Sequence, residues 1–354
     1  MDFNHTEDRR MLSDSLRRYL SDQYSHELRI ETAYEAPFHS EKHYQELCQL
    51  GVLAALVPES AGGYGGSGFD IQVVFEELGR ALCPEPALAA LMSLRLLQAC
   101  DAKDLLAEAM AGERKLAVAI YEPGNSDSLD TLTTNAQQSG DDWVLNGQKS
   151  IVYGAPAASD LLVVARTDAG LGVFLTDQAQ VEGYAMIDGG GAGEVRLVDA
   201  HATCLSSDAQ AAIEYALDCG RLALCAEAVG AMDVLLEMTV EYLSQRQQFG
   251  TTIATFQALQ HRIVDMAIEI EQARSMTILA ASKLDEEDRA RYLAMAKNLI
   301  GRSAQLIGEE STQLHGGIGM TWEYAGAHYA KRLIMLDHQL GDRYQQLDRL
   351  HHAA

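Results

Sequence analysis

Three textures of hydrophobic and polar positions follow one another along the 354-residue chain. In the first, apolar residues recur three and four apart: Met11, Leu12, Leu16, Tyr19 and Leu20, then Tyr44, Leu47 and Leu50. Stretches 71–82 and 86–100 repeat the pattern. That spacing places apolar side chains on one face of a helix, so the first 115 residues predict a helical domain. Gly51 follows its pattern at once and reads as a helix end. In the second texture short apolar runs lie between turn residues, at 117–121, 143–145, 150–153, 161–165, 172–175 and 194–197. Runs roughly ten residues apart predict a compact antiparallel β domain over 116–206, and Asn146-Gly147 between two of them predicts a hairpin turn. From Ser207 the helical period returns. Leu222, Cys225, Val229, Met232 and Leu236 form the seam of a long packed helix, and Ile263, Met266, Ile270 and Ala273 form another. Further helices are expected around 292–307 and 326–340. Residues 207–354 therefore predict a four-helix bundle, and the whole chain an α+β fold of helices, β domain and bundle.

Composition changes this picture little, but charge narrows the partners. Apolar residues make up 47% and charged residues 22%, enough for a sizeable core. The net charge of −24 repels phosphate backbones and anionic lipid, which argues against nucleic acid or a membrane surface as partner. No apolar run approaches the ~20 residues of a spanning helix, and MDFNHTEDRR lacks the apolar core of a signal peptide. A cytoplasmic protein is expected. Cysteines 48, 83, 100, 204, 219 and 225 form no CxxC pair and read as free thiols rather than a disulfide framework or zinc site. Five glycines between 62 and 68 invite a phosphate-loop reading, yet no Lys-Ser or Lys-Thr follows them, so a loop joining two helices is expected.

Chemistry concentrates in two segments of the bundle, 242–257 (YLSQRQQFGTTIATFQ) and 313–323 (QLHGGIGMTWE). Arg246 precedes a helix break at Phe249-Gly250, so its guanidinium can leave the helix end and grip phosphate oxygens with two parallel donors. Gly316 and Gly317 let a ligand approach the backbone, which suits a pyrophosphate. Each feature alone reads as a helix cap or a tight turn. Together, and in this order, YxxxRxQFGxxIxxFQ and QxHGGxGxxxE resemble the acyl-CoA dehydrogenase family. The Val57-Pro-Glu glycine loop and Asn146-Gly147-Gln148-Lys149 are similar to that family as well. The resemblance covers most of the chain. It implies FAD as cofactor, an acyl-CoA as substrate, oxidation at the α and β carbons, and an electron-transferring flavoprotein as acceptor. It also implies that each FAD lies across two subunits. Arg246, Phe249, Gln257, Gln313, Gly316 and Gly317 then form the clamp on the adenine-diphosphate end.

Departures from the family pattern are as telling. The family's catalytic glutamate sits in a Glu-Gly-Thr triplet, where this chain has Leu340-Gly341-Asp342; its alternative place corresponds to Gly220. Neither residue can take a proton. Tyr121-Glu-Pro-Gly-Asn-Ser-Asp127 shortens the family's Thr-Glu-Pro motif, and Ser150-Ile-Val-Tyr-Gly154 stands where Trp-Ile-Thr-Asn packs on the flavin ring. A backbone N–H there can still meet the ring, and Tyr153 can pack on it. The resulting expectation is a subunit of a hetero-oligomeric acyl-CoA dehydrogenase, similar to the short subunits that act on steroid side chains. A homologous partner would supply base and ring contacts. The alternatives are a self-sufficient homo-oligomer with Asp337 or Asp342 as displaced base, and a non-catalytic acyl-CoA-binding or scaffold subunit. Asp342 also reads as a helix N-cap, Glu323 as an ion-pair partner at a helix start, Glu227 and Glu237 as solvated, and His315 as structural or phosphate-adjacent. His351-His352 read as a solvated end, and Met232, Met238, Met266 and Met276 as core filler.

Overall fold

The computed structural model describes residues 5–124, 128–140 and 142–352. Helices are α1 (Glu7–Gln23), α2 (His26–Ala33), α3 (Glu41–Gln49), α4 (Val52–Ala55), α5 (Gly68–Arg80), α6 (Ala87–Ala99) and α7 (Lys103–Met110), then, beyond the strands, α8 (Gln210–Gln245), α9 (Gln257–Ser282), α10 (Arg289–His315), α11 (Ala325–His338) and α12 (Arg343–His352). Strands are β1 (Leu116–Ala119), β2 (Asn135–Ser139), β3 (Asp142–Tyr153), β4 (Asp160–Arg166), β5 (Leu171–Thr176), β6 (Gln180–Ala185), β7 (Gly191–Ser206), β8 (Gln247–Gln248) and β9 (Thr251–Thr252). They fall into two compact units. A sheet unit takes Glu27–Asp70 and Pro84–Gly220, and a bundle unit takes Met1–His26, Ile71–Cys83 and Arg221–Ala354.

In the sheet unit the path β4-β2-β3-β7-β5 returns to β4, while β1 flanks β4 and β6 flanks β7. The pairings are antiparallel except β1–β4 and the single β2–β4 bridge, which are parallel, so the sheet is mixed. Leu145, Val152, Val163, Phe174, Val195 and Leu197 fill its core. β3 is one continuous strand, so Asn146-Gly147 is not a hairpin turn. It marks a register shift against β7. The type I′ hairpin needs positive φ at both residues, and here Asn146 keeps an ordinary φ. Its amide instead bonds across the sheet: Nδ2 donates to Asp199 Oδ1 at 3.1 Å and Oδ1 accepts from Asp199 N–H at 2.9 Å.

The glycine loop after α4 is a connector whose N–H groups are spent on itself. Gly62 donates to Glu59 O, Gly63 to Pro58 O, Tyr64 to Ala54 O, Gly65 to Val57 O and Gly66 to Ala55 O. A Cβ at Gly63 would lie 2.1 Å from Val57 O. The glycines serve backbone-on-backbone packing, and this loop does not present a phosphate cradle.

One buried ion pair ties β3 to the preceding loop. Lys149 is fully buried, and its Nζ donates to Ile120 O (2.7 Å) and Glu122 Oε1 (3.1 Å). Glu122 also accepts from Thr133 N–H, Thr133 Oγ1 and Thr134 N–H at 2.7–2.8 Å. Burial pushes the Glu122 carboxyl up, but these hydrogen bonds outweigh it and hold the pKa at about 2, below its ordinary 4.5. Stability from a depressed carboxyl is complete above the ordinary value and lost as pH falls from 4.5 toward 2. Glu122→Gln is expected to cost about 2 kcal/mol at pH 7 and to flatten the acid limb of a stability–pH curve between those values, measured by urea unfolding.

In the bundle unit α8 is central. Leu222, Leu224, Cys225, Val229, Met232 and Leu235 are all buried, so the helix has no wide solvated face. Glu227 is buried as well, contrary to the expectation of a solvated side. Its carboxylate receives Arg332 Nε at 2.6 Å and a second guanidinium nitrogen at 2.7 Å. Glu237 is exposed and pairs with Arg80 at 3.1 Å. Arg274 of α9 bridges Glu76 and Asp233 at 2.7 Å each, joining α5, α8 and α9. No helix among the described residues is long and apolar enough to cross a membrane.

Candidate cofactor site

The two motif segments meet at one end of the bundle unit. α8 stops at Gln245, and the Arg246 N–H donates to Tyr242 O (2.9 Å) while its carbonyl accepts from Ile253 N–H (2.9 Å). Between these anchors β8 and β9 form a two-residue hairpin, with Gln248 opposite Thr251. Phe249 (φ 57) and Gly250 (φ 80) both have positive φ, the signature of a type I′ turn. The turn thrusts Phe249 outward, where it is 90% exposed and meets Phe256 edge-on at 6.1 Å. Gln257, the first residue of α9, is exposed.

α10 ends in the second segment. Gly316 reverses the chain with φ 66 and ψ −140, a combination that disfavours a side chain, and a 3-10 turn runs over Gly316–Met320. Nothing lies within 4 Å of where a Cβ at Gly316 or Gly317 would be, so their backbone is open to a ligand. Gln313 is exposed one turn earlier. His315 joins the segments. Its ring packs at a tilt between those of Tyr242 of α8 (4.7 Å) and Tyr324 (4.8 Å). Its Nδ1 meets Ser311 O at 2.8 Å and its Nε2 meets the Tyr324 hydroxyl. Burial lowers its pKa, which favours the neutral ring. With both nitrogens engaged, His315 is a structural pin. The Arg262–Glu310 pair ties α9 to α10 near the same end. An exposed arginine, an exposed aromatic tip and side-chain-free backbone thus share one rim, and that donor set fits a pyrophosphate.

The positions that correspond to the family's base hold no proton acceptor. Leu340 is 4% exposed with φ 55, and its carbonyl accepts from Arg221 Nε at 3.1 Å. Gly220 lies inside α8. The two nearby aspartates are committed elsewhere. Asp342 Oδ1 accepts the N–H groups of Tyr344 and Gln345 at 2.9 Å and so caps α12, as its sequence position predicts. Asp337 Oδ1 accepts the Arg343 N–H at 3.0 Å, and its backbone carbonyl receives Lys297 Nζ at 2.8 Å. Lys297 also donates to Leu336 O at 2.6 Å and is fully buried, and burial lowers its pKa to about 8. Lys297 and Arg221 hold this corner together through backbone carbonyls 39 to 119 residues away, a link no local pattern reveals. Glu323 is exposed at the turn before α11.

The ring-side segment of the sheet unit spends its Ile151 donor within the chain. Val152 is buried, Ile151 is 46% exposed with φ 53, and the Ile151 N–H is donated to the chain's own Glu194. In the Tyr121–Asp127 motif Glu122 serves the Lys149 pair, and residues 125–127 lie outside the described residues.

Comparison with known proteins agrees with this geometry. Residues 6–100 match the family model "Acyl-CoA dehydrogenase, N-terminal domain", and residues 210–340 match "Acyl-CoA dehydrogenase, C-terminal domain". Acyl-CoA dehydrogenase IpdE2 of Mycolicibacterium smegmatis is 30% identical over 308 residues, covering 86% of this chain and 85% of the relative. A solved variant of the steroid ACAD Tcur3481-Tcur3483 is 30% identical with a TM-score of 0.89, covering 98% of this chain and 97% of its own. The ChsE4-ChsE5 complex from Mycobacterium tuberculosis shares the fold at a TM-score of 0.89 and 24% identity, over 99% and 98% of the two chains. The chain belongs to the acyl-CoA dehydrogenase family, a family whose cofactor is FAD.

Proposed function

We propose that this chain is one subunit of a hetero-oligomeric FAD-dependent acyl-CoA dehydrogenase and contributes half of a shared cofactor site. The observation that carries the reading is the contrast within the chain. The rim of Arg246, Phe249, Gln257, Gln313, Gly316 and Gly317 is exposed and fits the adenine-diphosphate end of FAD. The base positions are Leu340 and Gly220, and Asp337 and Asp342 are tied into backbone. FAD, when bound, supplies the two-electron acceptor for oxidation of the acyl α,β bond. In this reading Arg246 binds pyrophosphate oxygens, Gly316 and Gly317 admit the phosphates against main chain, and Phe249 covers the adenosine end. The homologous partner supplies the carboxylate that takes the α proton and the contacts to the flavin ring. Likeness to a steroid ACAD supports a CoA thioester of a steroid-derived acid as substrate, and the family resemblance read in the sequence implies an electron-transferring flavoprotein as the acceptor.

Flavin content per chain tests this. Expressed alone, the chain is expected to purify with little flavin and no turnover. Co-expressed with its homologous partner, it should give about one FAD per pair of unlike chains. One FAD per chain, with turnover by the chain alone, would overturn the shared-site reading. Asp337→Asn and Asp342→Asn would then locate the base.

A further inference from the structure

We infer that Glu194 closes the ring-side surface of this chain's own sheet unit, so that the chain lends a clamp but excludes a flavin ring from itself. The inference rests on the half-site reading above and gives it a residue. Along β3 and β7, Lys149 faces Val195 and Val152 faces Gly193. Two residues, Ser150 and Ile151, therefore stand opposite the single residue Glu194, which is a β-bulge. The bulge falls within Ser150–Gly154, the segment that stands where the family's ring-packing tetrapeptide does.

Backbone conformation there is unusual. Ile151 has φ 53, a left-handed value that a β-branched residue rarely adopts, and its side chain turns 46% into solvent. Ser150 directs its N–H away from β7, to Tyr121 O at 2.9 Å. Such a conformation persists only where its surroundings hold it. Glu194 does so: its Oε1 accepts the Ser150 hydroxyl at 3.0 Å, the Ile151 N–H at 3.2 Å and the Tyr184 hydroxyl at 3.0 Å. Three elements, β3, β6 and β7, thereby converge on one carboxylate oxygen. Burial and this carboxylate together push the Tyr184 hydroxyl up to about 12, so it stays a donor across the working pH range.

Consequences for a flavin follow from donor and acceptor chemistry. The pyrimidine edge of the ring presents two carbonyl oxygens and one ring nitrogen that need donors, against a single N–H that needs an acceptor. In this segment the Ser150 hydroxyl and the Ile151 N–H are spent on Glu194, the Ser150 N–H on Tyr121 O and the Gly154 N–H on Gly191 O, and a carboxylate offers only acceptors. Reduction would also add negative charge to the ring beside an existing negative charge. Glu182, opposite Glu194 on β6, is exposed and offers no compensating donor.

Lumiflavin, which has the ring without the adenine-diphosphate arm, separates this surface from the clamp. Titrated against the full chain by fluorescence quenching, it is expected to bind Glu194→Gln and Glu194→Ala at least tenfold more tightly than wild type. FAD per unlike pair in the co-expressed complex should rise above one. Glu194→Gln keeps the shape and one acceptor, so it serves if Glu194→Ala does not fold, and Glu194→Asp, which keeps the charge, should behave as wild type. Unchanged lumiflavin affinity in folded variants, with one FAD per wild-type pair, overturns the role of Glu194 and leaves the half-site reading standing. Two FAD per wild-type pair overturns the half-site reading itself.

Discussion

Arg246→Ala is expected to weaken FAD binding by the assembled complex by about 10- to 150-fold. The side chain is exposed at the helix end, and among the described residues no ion pair restrains it, so its removal leaves the fold of the bundle untouched. On the proposed reading, what is lost is one two-pronged contact to phosphate, on the order of 1.5–3 kcal/mol. Each 1.4 kcal/mol is tenfold in affinity, which sets the range. Calorimetric titration of FAD into the stripped complex reads it directly, and flavin absorbance after gel filtration reads its consequence. Arg246→Lys keeps the charge but not the planar fork and should fall between the two. The loss should deepen with added salt, because an exposed charge pair is screened. Affinity for the acyl-CoA should stay as in wild type, since the clamp touches only the adenine-diphosphate end. Unchanged flavin retention in Arg246→Ala would favour the scaffold subunit over the half-site enzyme.

The two breaks in the helices that carry the proposed clamp were legible in the sequence because their geometry is local. A type I′ turn at Phe249-Gly250 and a chain reversal at Gly316 are each decided within a few residues, by which residue tolerates positive φ. Helix positions were legible for a related reason: the 3.6-residue period survives wherever a helix keeps one solvated face. Over 216–232 of α8 every residue is buried, so the period gives a helix there but no solvated face, and the place of Glu227 could not be read. Its partner Arg332 lies 105 residues away, and the pair exists only once α8 and α11 have packed. The same holds for Lys297, whose targets are backbone carbonyls 39 and 40 residues on. Asn146-Gly147 misled because a turn dipeptide and a strand with a register shift use the same residues; pairing along the whole of β7 decides between them. Glu194 left no signal at all, since its role depends on a bulge in a different strand.

Two glycine-to-alanine changes in the same unit should move stability in opposite directions, and the difference tests the packing of α5 on α8. The helices cross with main chain against main chain. A Cβ on Gly230 would lie 2.0 Å from Glu76 O, and one on Gly79 would lie 2.1 Å from Glu227 O. Neither obstacle is a flexible side-chain tip, so the two helices must move apart. That separation also strains the Arg274 bridge to Glu76 and Asp233. Gly230→Ala should therefore cost about 2–4 kcal/mol, at the upper end of what overpacking a core costs. Gly308 sits in the interior of α10, and there a Cβ would meet Ala330 at 3.7–3.8 Å, ordinary contact. Alanine restricts the unfolded chain and favours the helix, so Gly308→Ala should gain about 0.5–1 kcal/mol. Urea unfolding of both variants in parallel gives the comparison. A net loss below ~0.5 kcal/mol for Gly230→Ala would overturn this close main-chain crossing of α5 and α8, since adding back the propensity gain of about 0.5–1 kcal/mol leaves an overpacking cost under about 1.5 kcal/mol, below the range expected.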